Sequence, residues 1–277
     1  MHEAPPGYLR AAHELLHRHK ALLIADEVQT GLGRTGDFYA YQHEAGVEPD
    51  LVCVAKALSG GYVPVGATIG KDWIFKKVYS SMDRVLVHSA SFGANAQAMA
   101  AGLAVLSVME DERIVDRVRS TGELLRTRLA ALTGKYELLA DVRGRGLMIG
   151  HRSSAAPGRW DCARAGPCSR PPARDLFAQM VVVPLLRRHR ILTQVSGDHL
   201  EVIKLIPPLV IDERDVHRFV DAFAAVMDDA HDGGLVWRVR QDAGETGRRR
   251  PLTPHPRRIC LRGKKIAPEA NAGLKEV

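Results

Sequence analysis

Two short apolar runs that end on opposite charges constrain this chain more than any other feature. Leu22-Leu23-Ile24-Ala25 stops at Asp26, and Leu51-Val52-Cys53-Val54-Ala55 stops at Lys56, thirty positions later. Each run reads as a short buried strand followed by loop chemistry. A carboxylate and an amine delivered this way sit at the carboxyl edge of a parallel sheet, where open α/β sheets bind their ligands. A lysine there can condense with an aldehyde, and an aspartate there can hold a protonated ring nitrogen.

The surrounding pattern supports such a sheet. A helix is expected over Tyr8 to Lys20, with Leu9, Ala12, Leu15 and Leu16 at helical spacing, and a third strand over Ala67–Ile69. Helices are expected over Ala96–Val108 and Arg113–Leu132. Strands at Tyr136–Val142 and Gly146–Ile149 are expected to join through Arg143-Gly144-Arg145-Gly146. Leu176–His189 reads as a helix that Pro184 should kink or break, and Val202–Ile206 as a strand stopping at Pro207-Pro208. Asp212 and Asp215 form an acidic capping box for a last helix, apolar at Val216, Phe219, Val220, Phe223, Val226 and Met227. The expected domains are 1–112, an α/β unit with a mostly parallel sheet, and 113–235, a smaller α+β unit.

Composition narrows the function classes. The 277 residues are 45% hydrophobic, enough for a real core, and contain no uncharged apolar stretch of membrane-spanning length. No charged segment followed by an apolar one opens the chain, so a cytoplasmic location is expected. Cys53, Cys162, Cys168 and Cys260 lack the close spacing of zinc ligands and read as reduced thiols. The net charge of +7 could suggest nucleic acid, but its distribution argues otherwise. Residues 151–175 carry five Arg against two Asp, and 238–277 carry eleven cations against four carboxylates, leaving a net −3 for the rest. Both basic stretches are rich in Arg and Pro without periodicity. The first is expected to be an irregular insert and 236–277 a disordered tail, so the charge says little about the partner of the folded part.

Asp26-Glu27-Val28-Gln29-Thr30-Gly31-Leu32-Gly33-Arg34-Thr35-Gly36, then Pro49-Asp50-Leu51 and Ala55-Lys56-Ala57-Leu58-Ser59-Gly60-Gly61, resemble the class III pyridoxal-phosphate (PLP) aminotransferases, acetylornithine/ornithine type. His88-Ser89-Ala90-Ser91-Phe92-Gly93-Ala94-Asn95, Asp141-Val142-Arg143-Gly144-Arg145-Gly146-Leu147 and Lys204-Leu205-Ile206-Pro207-Pro208-Leu209 extend the resemblance. The order and spacing of these motifs together are far more specific than any one of them. The resemblance implies a partial fold-type-I PLP-transferase large domain plus a smaller C-terminal domain, in a homodimer. It implies that Lys56 bonds to the cofactor aldehyde and shuttles the substrate proton. Asp26 would pair with the pyridine nitrogen, Gln29 would lie beside the phenolic oxygen, and Ser91 would reach the cofactor phosphate of the neighbouring subunit. Gly31-Leu32-Gly33-Arg34-Thr35-Gly36 also spells the dinucleotide fingerprint, but Asp26 and Glu27 would repel phosphates and no helical periodicity follows.

The chain departs from the resemblance in three places. It begins late, without the phosphate-binding turn and ring-stacking aromatic of the family's earlier sequence. The expectation is therefore a crippled transaminase with apolar faces left uncovered, alongside two alternatives: a non-catalytic remnant, or a PLP-dependent lyase or racemase of the same fold. The run at 151–175 interrupts the pattern as a local shift of reading frame would. Lys204 stands where many relatives have Arg, and lysine cannot make the planar bidentate contact to a carboxylate. An amino donor and a carbonyl acceptor are expected as small-molecule partners, with no nucleic acid and no membrane span.

Overall fold

The computed structural model describes residues 3–87, 90–136, 139–153, 177–196 and 202–231. Residues 1–237 form one compact unit, and a second, 238–277, lies outside the described residues. The expected irregular insert and basic tail therefore fall outside them as well, apart from the strand residues up to 153.

After helix α1 (Tyr8–Arg18), strands β1 (Ile24–Asp26), β2 (Leu51–Val54) and β3 (Ala67–Gly70) form a sheet in that order. Helices α2 (Asp72–Val78) and α3 (Ala96–Asp111) follow. β1 and β2 are parallel, with Ile24 opposite Leu51 and Asp26 opposite Cys53. β3 runs antiparallel to β2, with Leu51 opposite Gly70. The parallel expectation thus holds for the pair that delivers Asp26 and Lys56 and fails for the third strand. The reason lies in the connections. A parallel return needs a crossover, usually helical, whereas the segment after β2 goes into the tight turn Lys56–Ser59 and the left-handed Gly60 and Gly61.

The second half consists of α4 (Ile114–Thr133), β4 (Leu139–Arg145), β5 (Met148–Ser153), α5 (Phe177–His189), β6 (Gln194–Ser196), β7 (Val202–Leu205) and α6 (Glu213–His231). Its sheet has the order β4-β5-β7-β6 and is antiparallel throughout. β4 continues through Arg145, so Gly146-Leu147 alone makes the turn that the sequence placed at residues 143–146. α5 runs on through Pro184. Val181 and Leu185 on either side are fully buried, and packing of this kind outweighs the roughly 3 kcal/mol cost of an internal proline. The capping box of α6 forms as expected. Asp212 Oδ1 accepts from the Arg214 and Asp215 amides at 2.8 and 3.0 Å, and Asp215 Oδ2 accepts from the Asp212 amide at 3.3 Å.

Most of the core lies in this second half. Val118, Leu129, Leu147, Val181, Leu185, Val226 and Met227 are fully enclosed, with Tyr136 and Phe223 nearly so. Truncating such a side chain costs about 2–5 kcal/mol. The first half is different. β3 is exposed along its length, α1 and α2 bury no residue completely, and Tyr62, Trp73, Phe75, Phe92 and Leu103 lie open to solvent.

The two halves meet at glycine. A Cβ on Gly122 would sit 2.3 Å from the Gly146 carbonyl oxygen. A Cβ on Gly146, at φ +52°, would sit 2.5 Å from the carbonyl carbon of Thr35. α4, the β4–β5 turn and the glycine-rich loop therefore stack backbone on backbone, a packing any larger residue would push apart.

His151 on β5 is 1% exposed, and neither ring nitrogen has a hydrogen-bond partner among the described residues. It packs 5.4 Å from the Phe223 ring. Burial pushes its pKa down to about 4, against a weaker upward pull from Asp141, itself flanked by Arg143 and Arg152. The imidazole is thus neutral in the fold and readily protonated in the unfolded chain. Its contribution is intact above about pH 6.5 and is lost as pH falls toward 4, by up to about 3 kcal/mol. Urea unfolding should show this decline between pH 7 and 4.5, and His151→Leu should flatten it; equal pH dependence in both proteins would contradict the assignment.

Candidate active site

Asp26 is the last residue of β1, and Lys56 lies three residues beyond Cys53, the partner of Asp26 in β2. The Glu27 amide donates to the Cys53 carbonyl at 2.9 Å, which carries the parallel pairing past Asp26. Carboxylate and amine therefore leave the same edge of the same parallel pair, from strands about 4.8 Å apart. Both side chains are exposed. Asp26 Oδ1 accepts from the Val28 amide at 3.1 Å, which leaves Oδ2 with no partner among the described residues. Lys56 Nζ has no acceptor there either. Its backbone sits at φ +43°, in the left-handed region that a side chain enters at a cost of about 1–3 kcal/mol. Turn residues Lys56–Ser59 hold it there. Ser59 is buried, and its hydroxyl donates to the Val63 carbonyl while accepting from the Val63 amide at 3.3 Å.

Gln29 stands on the loop after β1, which buried Glu27 organises. Glu27 Oε1 accepts from the Tyr41 amide at 2.9 Å, Oε2 accepts from the Thr30 hydroxyl, and its carbonyl accepts from the Gly31 amide at 3.0 Å. Burial, and after it the neighbouring acidic and phenolic groups, raises the Tyr39 and Tyr41 hydroxyls above their ordinary range. No helix opens at Gly36, and turns continue to the short helical turn Ala40–His43. A dinucleotide fingerprint would need a helix there.

Ser91 is exposed on a turn that Asn95 closes, with Asn95 Nδ2 donating to the Phe92 carbonyl at 2.9 Å and Oδ1 capping α3 through the Ala98 amide at 2.9 Å. α3 packs against the Lys56–Ser59 turn. No hydrogen bond joins Ser91 to Asp26, Gln29 or Lys56 among the described residues. A cavity of about 720 Å³ is walled by Gln29 and by Lys204, Pro207 and Phe219 of the second half. Asp26, Lys56 and Ser91 are not among its walls.

The supports of this edge were not singled out from sequence. Arg34, half-buried, donates through Nη1 to the carbonyls of Leu147, at 3.2 Å, and Pro207, while its own carbonyl accepts from the Leu147 amide at 3.0 Å. Burial lowers its pKa to about 10. It ties the Gln29 loop to the β4–β5 turn and to the segment after β7. Asp37, His43 and Thr35 form a chain of contacts at 2.6 and 3.0 Å, and Arg119 of α4 reaches Asp37 at 2.8 Å. The arrangement has the order of a carboxylate–imidazole–hydroxyl relay, but Thr35 is buried against Gly146, so it braces the loop rather than meeting a substrate. Asp50, in front of β2, is 4% exposed. Burial would raise its carboxyl, but the Leu23 amide at 2.9 Å, Lys71 at 3.0 Å and His17 at 3.5 Å outweigh that and hold it below the ordinary range.

The residues present fit pyridoxal phosphate in part. The amine and the carboxylate answer to its aldehyde and its ring nitrogen. For the phosphate, the sequence motifs nominate only the Ser91 hydroxyl among the described residues.

A family model for aminotransferase class-III matches residues 1–227. Among curated relatives, the acetylornithine aminotransferase of Corynebacterium efficiens is 38% identical over 224 residues, which cover 81% of this chain and 47% of the relative. The ornithine aminotransferase 1 of Staphylococcus aureus is 35% identical over 223 residues, covering 80% and 48%. The chain spans about half the length of these relatives. The crystal structure of acetylornithine aminotransferase from Elizabethkingia anophelis superposes with TM-score 0.67 at 31% identity, covering 81% of this chain and 52% of that one. A phospholyase from Arthrobacter, solved with phosphoethanolamine, gives TM-score 0.69 at 28% identity, covering 82% and 50%.

Replacing Arg34 with Ala removes two charged hydrogen bonds and strands two carbonyls, and should lower stability by about 2–4 kcal/mol. Arg34→Lys should recover part of that loss. Urea midpoints measure it, and an unchanged midpoint in the Ala variant would refute the clamp.

Proposed function

The chain belongs to the class-III aminotransferase family, and we propose that it brings Lys56, Asp26, Gln29 and Ser91 to a pyridoxal-phosphate-dependent transamination between an amino acid or amine and a keto acid or aldehyde. The observation that carries this reading is the shared sheet edge, where the register of β1 on β2 sets a carboxylate beside a strand that ends in an amine. Bound pyridoxal phosphate supplies an electron sink that makes a proton on the neighbouring carbon acidic.

The rest of the chemistry falls to side chains. Lys56 Nζ would hold the group through its aldehyde and, as a free amine, would take and return the substrate proton. Its exposure and the lack of an ion-pair partner among the described residues suit a group that must change partners. Asp26 Oδ2 would pair with the ring nitrogen and keep it protonated, while the Val28 amide fixes the other oxygen. Gln29 would donate an amide N–H to the phenolic oxygen, and the Ser91 hydroxyl would donate to a phosphate oxygen of the neighbouring subunit's cofactor.

We assign the site to a homodimer in the cytoplasm. The exposed Tyr62, Trp73, Phe75 and Phe92 favour association, because apolar patches of this kind mark interaction surfaces. Among the described residues no helix is long and apolar enough to cross a membrane. A lyase is the second reading, favoured by the likeness to the Arthrobacter phospholyase. Release of ammonia from an amine without any carbonyl acceptor would select it over transamination.

Pyridoxal phosphate added to the purified chain should give a visible absorption band, and borohydride reduction should fix the pyridoxyl group on the peptide that contains Lys56. Lys56→Ala should abolish both. Labelling spread over surface lysines, or retained in Lys56→Ala, would overturn the assignment and leave a chain that keeps the lysine without using it.

A further inference from the structure

Lys56 occupies a costly backbone conformation that its own side chain does nothing to hold. At φ +43° its Cβ crowds the following carbonyl, and the exposed amine has no acceptor among the described residues. Such a conformation persists only where the surrounding structure imposes it. The restraint must therefore come from the residues that follow. The Leu58 amide donates to the Ala55 carbonyl and the Gly60 amide to the Ala57 carbonyl, both at 3.0 Å. The chain then passes through Gly60 at φ +63° and Gly61 at φ +86°, residues free to adopt many other conformations.

Ser59 bridges those two glycines. Its hydroxyl donates to the Val63 carbonyl and accepts from the Val63 amide at 3.3 Å, and its own carbonyl accepts from the Tyr62 amide at 3.2 Å. It is 2% exposed. Among the described residues, no other side chain makes a hydrogen bond to residues 55–63. α3 closes over the turn: a Cβ on Gly102 would lie 3.7 Å from the Leu58 carbonyl oxygen, and one on Gly60 would lie 3.4 Å from Val105 Cγ2. Loss of the Ser59 hydroxyl would strand the amide and carbonyl of half-buried Val63 and release the glycines between. Lys56 could then return to negative φ, which swings its Cβ about the backbone by about 100°.

We propose that Ser59 is the positioning residue of Lys56. Its hydroxyl fastens the loop 59–63, and the fastened loop keeps Lys56 in the left-handed conformation from which its amine leaves the β1–β2 edge. The use of that position rests on the aminotransferase reading, which alone gives the amine something to meet. The coupling of Ser59 to the strained backbone at residue 56 does not rest on it.

A cycle of variants of the full chain, without cofactor, tests the coupling. Glycine is favoured over alanine at positive φ and disfavoured at negative φ. With Ser59 present, Lys56→Gly should therefore have a higher urea midpoint than Lys56→Ala. With Ser59→Ala added to each, the gap should close or reverse, while circular dichroism shows that all four variants fold. No gap with Ser59 present, or the same gap in both backgrounds, would overturn the proposal. Labelling tests the position. Borohydride capture of pyridoxal phosphate on the Lys56 peptide should slow by about tenfold in Ser59→Ala, the value of one hydrogen bond, and recover in Ser59→Thr, which keeps the hydroxyl. Capture at the unaltered rate in Ser59→Ala, or no recovery in Ser59→Thr, would also overturn it. The expected midpoints in a chain whose Lys56 is never labelled would leave the coupling standing and remove the cofactor reading. Specific labelling of Lys56 without the coupling would remove the role of Ser59 alone.

Discussion

The parallel pairing of β1 on β2 is the constraint on which the rest depends. Its register, Asp26 opposite Cys53 and the Glu27 amide on the Cys53 carbonyl, decides that one strand ends in a carboxylate where its neighbour is about to end in an amine. A slip of one residue would turn every side chain of one strand to the opposite face. That register is fixed from both ends. Asp50 grips the Leu23 amide ahead of the strands, and Glu27 gathers Thr30, Gly31 and Tyr41 behind them. Neither carboxylate has chemistry of its own. Each is a buried acceptor that would be costly to leave unpaired, and so each holds the loop that satisfies it.

The two halves of the described chain divide their roles unevenly. The second half encloses its own apolar side chains between an antiparallel sheet and three helices. The first half carries the candidate chemistry on a three-stranded sheet with open apolar faces. Arg34 and the glycine contacts at Gly122 and Gly146 join them, so the loop bearing Gln29 borrows rigidity from a core it does not belong to. This arrangement explains how a strained backbone at Lys56 and an exposed turn at Ser91 can sit on a sheet too small to bury itself. It also leaves the first half with the surface on which the proposed association would occur.

Much of this was legible in the sequence, for identifiable reasons. Strands that end in Asp26 and Lys56 show themselves by short apolar runs, and the helices Ile114–Thr133 and Glu213–His231 by apolar spacing and, at Asp212, by a cap. What escaped depends on distant partners. β3 reversed direction because the turn after Lys56 leaves no crossover, which no local pattern announces. β6 is three residues of mixed polarity and exists only because β7 pairs with it. The helix carrying Pro184 was, by contrast, read from the sequence, and burial on both sides outweighs the proline's local cost. Arg34 hid within a glycine motif, and its partners lie more than a hundred positions away.

The central claim is that residues 26 and 56 meet the same ring. Nitrogen-15 NMR of the chain loaded with ring-labelled pyridoxal phosphate tests it most directly. The ring nitrogen should resonate as protonated near neutral pH and shift to the unprotonated position in Asp26→Ala, with the cofactor still bonded to Lys56. A nitrogen whose protonation is the same with and without the Asp26 carboxylate would contradict the claim.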